Sequence, residues 1–311
     1  MKSDRLFQVI DVIIPTKNSE STLDECLQAL SGEPVNVFIV DAYSTDDTVK
    51  IAEKYGVNII LEPPSSGPGS KRAVACNEGL KYSTSEIVGF IDSDTIVPSG
   101  WATGLSCYLT MSKNVGAVSS GCLPNEDTNL SKAFGKLITF GSTHGRNFER
   151  LAVIESAPGY NGMYLRAAID EAGGFNEDIG GCEDWELNKR IRENFYLIMG
   201  VPKYPVNHKE RGRIEDFSKQ MYGYGWSRSR LWKVTGHFTF LHALPSILLC
   251  LVALWWPFGS MLVVLSVAVN KILQVTLAKT SNKMPSKLVF LGALGVMGLS
   301  WAFGYLKGLI E

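Results

Sequence analysis

The 311-residue chain carries almost no net charge, with 30 lysines and arginines against 31 acidic residues and a formal charge of -1. Nucleic acid needs a basic face to bind, so no nucleic-acid partner is expected. Cysteine is sparse and scattered. Cys26, Cys76, Cys107, Cys122, Cys182 and Cys250 include no Cys-x-x-Cys pair, which argues against both a disulfide framework and a zinc site. Lys2, Asp4, Arg5 and Asp11 leave no room for the apolar core of a signal peptide, so the first domain is expected on the cytosolic side. Charge also vanishes locally. No Asp, Glu, Lys or Arg lies between Lys233 and Lys271.

What is present upstream is a strand-helix alternation, the pattern of a parallel sheet covered on both faces. Val9 to Ile14 reads as a strand that Pro15 stops, and Ser21 to Glu25 has capping-box spacing for a helix reaching about Leu30. Val35 to Val40 is a second strand ending at Asp41. Asp46 and Asp47 open a helix that closes near Tyr55-Gly56, and Val57 to Leu61 is a third strand. The organising stretch is Ile87-Val-Gly-Phe-Ile-Asp-Ser-Asp94, an apolar run that reads as an interior parallel strand. Its two carboxylates fall at the carboxyl end, where open α/β sheets bind ligands. On an extended chain both point to one side and could together hold a hard divalent cation and a phosphate; a solvated Asp-Ser-Asp turn is the competing reading.

Lys71 and Arg72 open the preceding helix, against the dipole preference for anions, so either a diphosphate compensates them or they are solvated cations. A helix over Trp101 to Met111, a strand over Val115 to Ser119 and a short helix after Arg166 are also expected. Residues 124–155 lose periodicity. Phe134, His144, Arg146, Phe148 and Arg150 there either line an acceptor site or belong to a variable excursion. Behind Gly180 and Gly181, Glu183 and Asp184 begin a helix, where they serve as a general base or merely as favourable caps.

Taken together, Val12-Ile-Ile-Pro-Thr-Lys-Asn18, Val40-Asp-Ala-Tyr-Ser-Thr-Asp-Asp-Thr48, Lys71 to Gly79, Phe90-Ile-Asp-Ser-Asp94, Gly173-Gly-Phe175 and Glu183-Asp-Trp-Glu-Leu187 resemble the inverting glycosyltransferases of family 2. The resemblance implies an α/β GT-A nucleotide-sugar fold, Rossmann-like, over roughly residues 9 to 208. It implies that Pro15, Thr16, Asn18, Asp41, Tyr43, Lys71, Arg72, Asp92 and Ser93 bind the nucleotide-sugar. Asp94 and His208 would bind Mg²⁺ or Mn²⁺, and Asp184, with Glu183 beside it, would take the acceptor proton. Two departures stand out. Ala42 and Tyr43 occupy positions where the family usually has an Asp and a Gly, and Trp226-Ser-Arg-Ser-Arg-Leu-Trp232 replaces the Gln-x-x-Arg-Trp motif of processive members.

In the tail, Phe238 to Trp256, Phe258 to Ala278 and Leu288 to Leu306 are each close to the ~20 residues that span a bilayer. Lys279, Lys283 and Lys287 would return to the cytosol between the second and third spans. The expected organisation is a catalytic domain over 1–210, a basic connection over 211–236 and a membrane region of about three helices over 237–311. Arg211, Arg213, Arg228 and Arg230 in the connection suit anionic headgroups or the phosphate of a lipid acceptor. The expectation is thus a multi-pass membrane glycosyltransferase taking a UDP- or GDP-linked sugar to a lipid-linked or glycan acceptor. A processive polysaccharide synthase and a non-catalytic nucleotide-binding scaffold are the alternatives.

Overall fold

The structure, a computed structural model, describes residues 9–64, 71–123, 128–141, 148, 150–208, 213–255, 259–281 and 286–311. Two compact units divide the chain. The first comprises residues 1–123, 142–177 and 183–209, and the second 124–141, 178–182 and 210–311.

The expected alternation opens the first unit as β1 (Ile10–Thr16), α1 (Leu23–Leu30), β2 (Val35–Asp41), α2 (Thr48–Lys54), β3 (Asn58–Leu61), α3 (Lys71–Tyr82) and β4 (Ile87–Ile91). β1 pairs in parallel with β2 and β4, and β2 with β3. Every residue of β4 is buried, which is why its sequence is continuously apolar rather than alternating. Pro15 does not stop β1. It pairs with Val40, and because β4 pairs only with Asp11, Val12 and Ile13, the missing N–H falls beyond that ladder. The capping box does not form either: α1 begins one residue after Thr22, which makes no side-chain cap, and the N–H groups of Thr22 and Leu23 donate to the Ser19 carbonyl.

The chain continues through β5 (Thr95–Ile96), α4 (Trp101–Leu109), β6 (Val115–Leu123), α5 (Asn129–Gly141, in the second unit), β7 (Ala152–Val153), β8 (Asn161–Leu165), α6 (Arg166–Ala172), α7 (Glu183–Glu193) and β9 (Leu197–His208). Among the described residues the sheet order is β3-β2-β1-β4-β8-β6-β9-β5, with β7 on β9. β8 runs antiparallel between β4 and β6, so the sheet is mixed, and the organising strand is parallel to only one of its neighbours. One apolar layer packs Val12, Ile14, Leu27, Trp101 and Leu105 together, and the other Ile13, Phe90, Tyr164, Phe175 and Leu187. The sheet thus holds its strand ends rigidly between two cores.

The second unit is helical. Besides α5 it contains α8 (Ile214–Thr235), α9 (Phe240–Trp255), α10 (Gly259–Thr280) and α11 (Ser286–Ile310). Gly225 of α8 and Gly304 of α11 have no room for a Cβ, because the Trp301 and Tyr222 carbonyls respectively lie against them. The two backbones therefore touch. Side chains point the opposite way from those of a water-soluble bundle: Leu248, Leu251, Leu265, Val267, Ile272, Leu288 and Leu291 are exposed, while Asn270, Gln274 and Ser300 are buried. Those polar groups satisfy one another, with Asn270 Nδ2 donating to Ser300 Oγ (3.1 Å) and Gln274 Nε2 to Ser218 Oγ (2.8 Å). Lys271 is exposed. Among the described residues α11 alone is by itself long and apolar enough to cross a membrane; α9 has 16 residues, and the apolar part of α10 is Leu265–Ala278.

Candidate active site

The site grows from the carboxyl end of β4. Asp92 and Asp94 do not continue that strand, contrary to the expected extended chain. They sit in a turn closed by the Thr95 N–H donating to the Asp92 carbonyl (3.0 Å). What joins them is β9. Thr95 pairs with His208 in the β5·β9 ladder, which brings the imidazole to the turn. His208 Nε2 lies 3.2 Å from Asp94 Oδ1 and 3.9 Å from Asp92 Oδ2. The ring is further fixed by Tyr160, with centroids 4.6 Å apart.

One oxygen from each aspartate and one imidazole nitrogen all lie within 4.8 Å of one another, a group able to hold a metal ion. Asp94 Oδ1 is buried and accepts no hydrogen bond of acceptable geometry, although His208 stands beside it. Two carboxylate oxygens and an imidazole nitrogen converging on one point are donors that a divalent cation takes, so the donor set fits one. Burial alone would lower the pKa of His208. The neighbouring carboxylates of Asp92 and Asp94 override that and raise it well above the usual histidine value. Burial would likewise raise the pKa of Asp92, but the Arg72 guanidinium, with help from His208, holds it well below the carboxylate range.

Arg72, in the first turn of α3, is the hub. Its Nε and Nη2 donate to Asp92 Oδ1 (3.2 and 3.0 Å), Nη2 also donates to the Gly159 carbonyl (2.7 Å), and Nη1 lies 3.6 Å from Glu183 Oε1. A Cβ on Gly159 would come within 2.8 Å of that guanidinium, so only glycine allows this approach. The same residue's N–H donates to Asp184 Oδ2 (2.9 Å), and Asp184 Oδ1 accepts from the Trp185 N–H (2.7 Å). Arg72 and the α7 carboxylate are thereby tied through one residue. Asn188 anchors this helix start from below, its Nδ2 donating to the Ala157 carbonyl and the Asp184 carbonyl.

The remaining sequence candidates gather at the ends of β1 and β2. Thr16 is buried with its hydroxyl on the Ile14 carbonyl, and Pro15 pairs with Val40. Asn18, at φ 49°, joins two loops: its N–H donates to Ser44 Oγ and its Oδ1 accepts from the Thr45 N–H. Asp41 is 1% exposed; its Oδ2 accepts from the Ser44 N–H while Oδ1 is buried with no partner. Tyr43 stands at φ 57° with its side chain exposed, a strained backbone of the kind found at ligand sites. Ser93 Oγ donates to Ser19 Oγ, and Lys71 is exposed. Arg213, Arg228 and Arg230 belong to the second unit; Arg213 is exposed 3.9 Å from Glu215, and Arg230 lies over the Trp226 ring. Arg211, His144 and Arg146 lie outside the described residues. Sequence reasoning missed Gly159 and Asn188.

The model of glycosyl transferase family 2 matches residues 11–173, more than half of the chain. An O-antigen chain rhamnosyltransferase of Salmonella anatum, WbaN, is 28% identical over 209 residues, covering 63% of this chain and 65% of that protein, just under two thirds of its length. Among solved structures, the mannosyltransferase PcManGT from Pyrobaculum calidifontis in complex with GDP-Man and Mn²⁺ has TM-score 0.60 at 19% identity, covering 96% of this chain and 86% of that one. Glucosyl-3-phosphoglycerate synthase from Mycobacterium tuberculosis with Mn²⁺, UDP-Glc and glycerol 3-phosphate has TM-score 0.53 at 20% identity, over 75% and 82%. These two likenesses establish the GT-A fold. The turn that gathers Asp92, Asp94 and His208 lies at the edge of a sheet whose sequence is matched from Asp11 onward, and the chain belongs to glycosyl transferase family 2.

Proposed function

We propose that the chain transfers a sugar from a UDP- or GDP-sugar to a lipid-linked or glycan acceptor, with inversion, at the cytosolic face of a membrane. The observation that carries this reading is the convergence of Asp92, Asp94 and His208 beside an arginine tied to the start of α7. Asp94 and His208 would hold Mg²⁺ or Mn²⁺, and a bound cation there would neutralise charge developing on the departing diphosphate. Pro15, Thr16, Asn18, Asp41, Tyr43, Lys71, Arg72, Asp92 and Ser93 would bind the nucleotide-sugar. Arg72 orients Asp92 through two donated hydrogen bonds, and Glu183 balances its charge. Asp184 is the acceptor-side carboxylate: held by the N–H groups of Gly159 and Trp185, it keeps a fixed orientation and retains lone pairs for the acceptor hydroxyl's proton.

Residues 1–210 would form the catalytic domain, 211–236 the connection and 237–311 the membrane region. The outward apolar side chains and inward polar network of the helical unit support anchoring. Arg211, Arg213, Arg228 and Arg230 would meet anionic headgroups or an acceptor phosphate. The test is the full-length chain in detergent with radiolabelled UDP- and GDP-sugars, membrane lipid extract and Mn²⁺ or Mg²⁺. Labelled product that disappears with EDTA and in Asp94→Asn supports the reading; neither transfer nor donor hydrolysis with any donor overturns it. If the acceptor is a polyprenyl phosphate, its oxygen is already anionic and Asp184→Asn keeps substantial activity.

A further inference from the structure

β5 is only two residues long, so the pairing that delivers His208 to the aspartate turn is a short one. His208 is also the last residue of β9. A terminal imidazole on so brief a ladder keeps its side-chain torsions free unless something packs on the ring, and freedom lost on binding a cation costs affinity. Tyr160 supplies that packing. Asn161 pairs with Ile91 at the end of β4, so Tyr160, one residue earlier, falls beside the turn that carries Asp92 and Asp94. Its ring meets the imidazole with centroids 4.6 Å apart and planes 34° from parallel, and its carbonyl accepts from Thr95 Oγ1 (3.3 Å). Thr95 and His208 are partners across the ladder. Tyr160 therefore grips both residues of that pair, one through its ring and the other through its backbone.

Tyr160 is itself held. The Asn161 N–H donates to the Pro158 carbonyl (3.0 Å), closing a turn over Gly159 and Tyr160. The Asn161 side chain, fully buried, accepts from Trp101 Nε1 (3.0 Å) and donates to Ser120 Oγ (2.8 Å). The Tyr160 ring also packs against the apolar layer that contains Trp101 and Val206. We propose that Tyr160 is a positioning residue for the metal centre: it holds the His208 imidazole in the orientation that presents Nε2 to an ion shared with Asp94. The inference rests on the proposed function, in which Asp94 and His208 hold the cation. Tyr160 touches neither nucleotide nor ion in this arrangement. It acts through His208 alone, by ordering that ring before the ion arrives. The aromatic face is what packs on the imidazole, so the phenolic hydroxyl is dispensable to the role.

The experiment measures Mn²⁺ affinity without turnover, by electron paramagnetic resonance on the full-length chain in detergent, across a double-mutant cycle between Tyr160 and His208. Tyr160→Phe keeps the ring and should bind Mn²⁺ as the unsubstituted chain does. Tyr160→Leu removes the ring and should weaken Mn²⁺ about tenfold, the lower end of what partners of metal ligands contribute. With His208→Ala already in place, Tyr160→Leu should cost nothing further, because a residue that acts through the imidazole is silent once the imidazole is gone. A merely structural tyrosine would weaken binding by the same factor in both backgrounds. Where Tyr160→Leu does not fold, Thr95→Val decides. Loss of its hydrogen bond to the Tyr160 carbonyl should weaken Mn²⁺ roughly threefold while His208 is present, and an unchanged affinity overturns the inference. The inference is also overturned if Tyr160→Phe weakens Mn²⁺ as much as Tyr160→Leu, if Tyr160→Leu changes nothing while His208→Ala lowers affinity, or if its effect persists without His208. The metal reading survives each of those results. If His208→Ala itself leaves Mn²⁺ binding unchanged, that reading falls and the inference with it.

Discussion

Gly159 has the narrowest tolerance in the site. Its carbonyl accepts from Arg72, its N–H donates to Asp184, and a Cβ would press on the guanidinium. Gly159→Ala is therefore expected to displace Arg72 from Asp92 and to move Asp184 with it. Both nucleotide affinity and turnover should fall, the latter on the order of a hundredfold if the reacting groups shift by about an ångström, while the melting temperature changes little. Steady-state kinetics beside a thermal melt check this. Asp41, Lys71, Arg72, Asp92, Asp94 and Asp184 could be proposed from sequence because carboxylates and cations at strand and helix ends stand out. Gly159 and Asn188 could not be, since a glycine before a strand and an asparagine within a helix carry no local signature; their roles come from partners 87 and 31 residues away, Arg72 and Ala157.

At the scale of elements, β1 to β4 followed from periodicity, but β8 and β9 did not. Asn161-Gly-Met-Tyr-Leu165 begins with turn-forming residues, and β9 contains Pro202, Pro205 and Tyr204 at φ 64°. Long-range pairing with β4 and β6 overrides these local preferences. The capping box at Ser21 failed for the complementary reason: the Ser19 carbonyl, fixed by the neighbouring loop, satisfied the helix start instead. One tie joins elements distant in sequence. Buried Asp11 of β1 accepts from the N–H groups of Thr84 and Ser85 and from Asn36 Nδ2, fixing the turn that leads into β4. Burial would raise its pKa, yet these hydrogen bonds together lower it. Its stabilisation is thus complete above the unfolded pKa of about 3.9 and is lost as pH falls through the folded value. Asp11→Ala should cost roughly 3 kcal/mol at neutral pH, read by denaturant unfolding of the first unit, and less at low pH. In the helical unit, Gly304→Leu should force α11 from the Tyr222 carbonyl of α8 and lower the yield of folded protein far more than Gly298→Leu, whose Cβ meets nothing.

For the whole molecule, sequence composition separated an α/β part from an apolar helical part, and the structure assigns residues 124–141 and 178–182 to the helical unit as well. That assignment was hidden because α5 is a short amphipathic segment inside a stretch without clear strands. Phe134 reveals it by stacking on Phe217 of α8 at 3.9 Å between centroids. The apolar tail was read from its lack of charge, but its buried Asn270, Gln274 and Ser300 carry the orientation of the helices, which hydropathy cannot express. The central proposal concerns the first unit: Asp94 and His208, beside Asp92, would hold a divalent cation that meets a nucleoside diphosphate. Electron paramagnetic resonance of Mn²⁺ titrated into the full-length chain, with and without GDP or UDP, measures this most directly. The account predicts that nucleotide tightens Mn²⁺ binding and that Asp94→Asn and His208→Ala each weaken it by at least about tenfold, the loss that even supporting partners of metal ligands produce. Mn²⁺ binding indifferent to both substitutions and to nucleotide would contradict it.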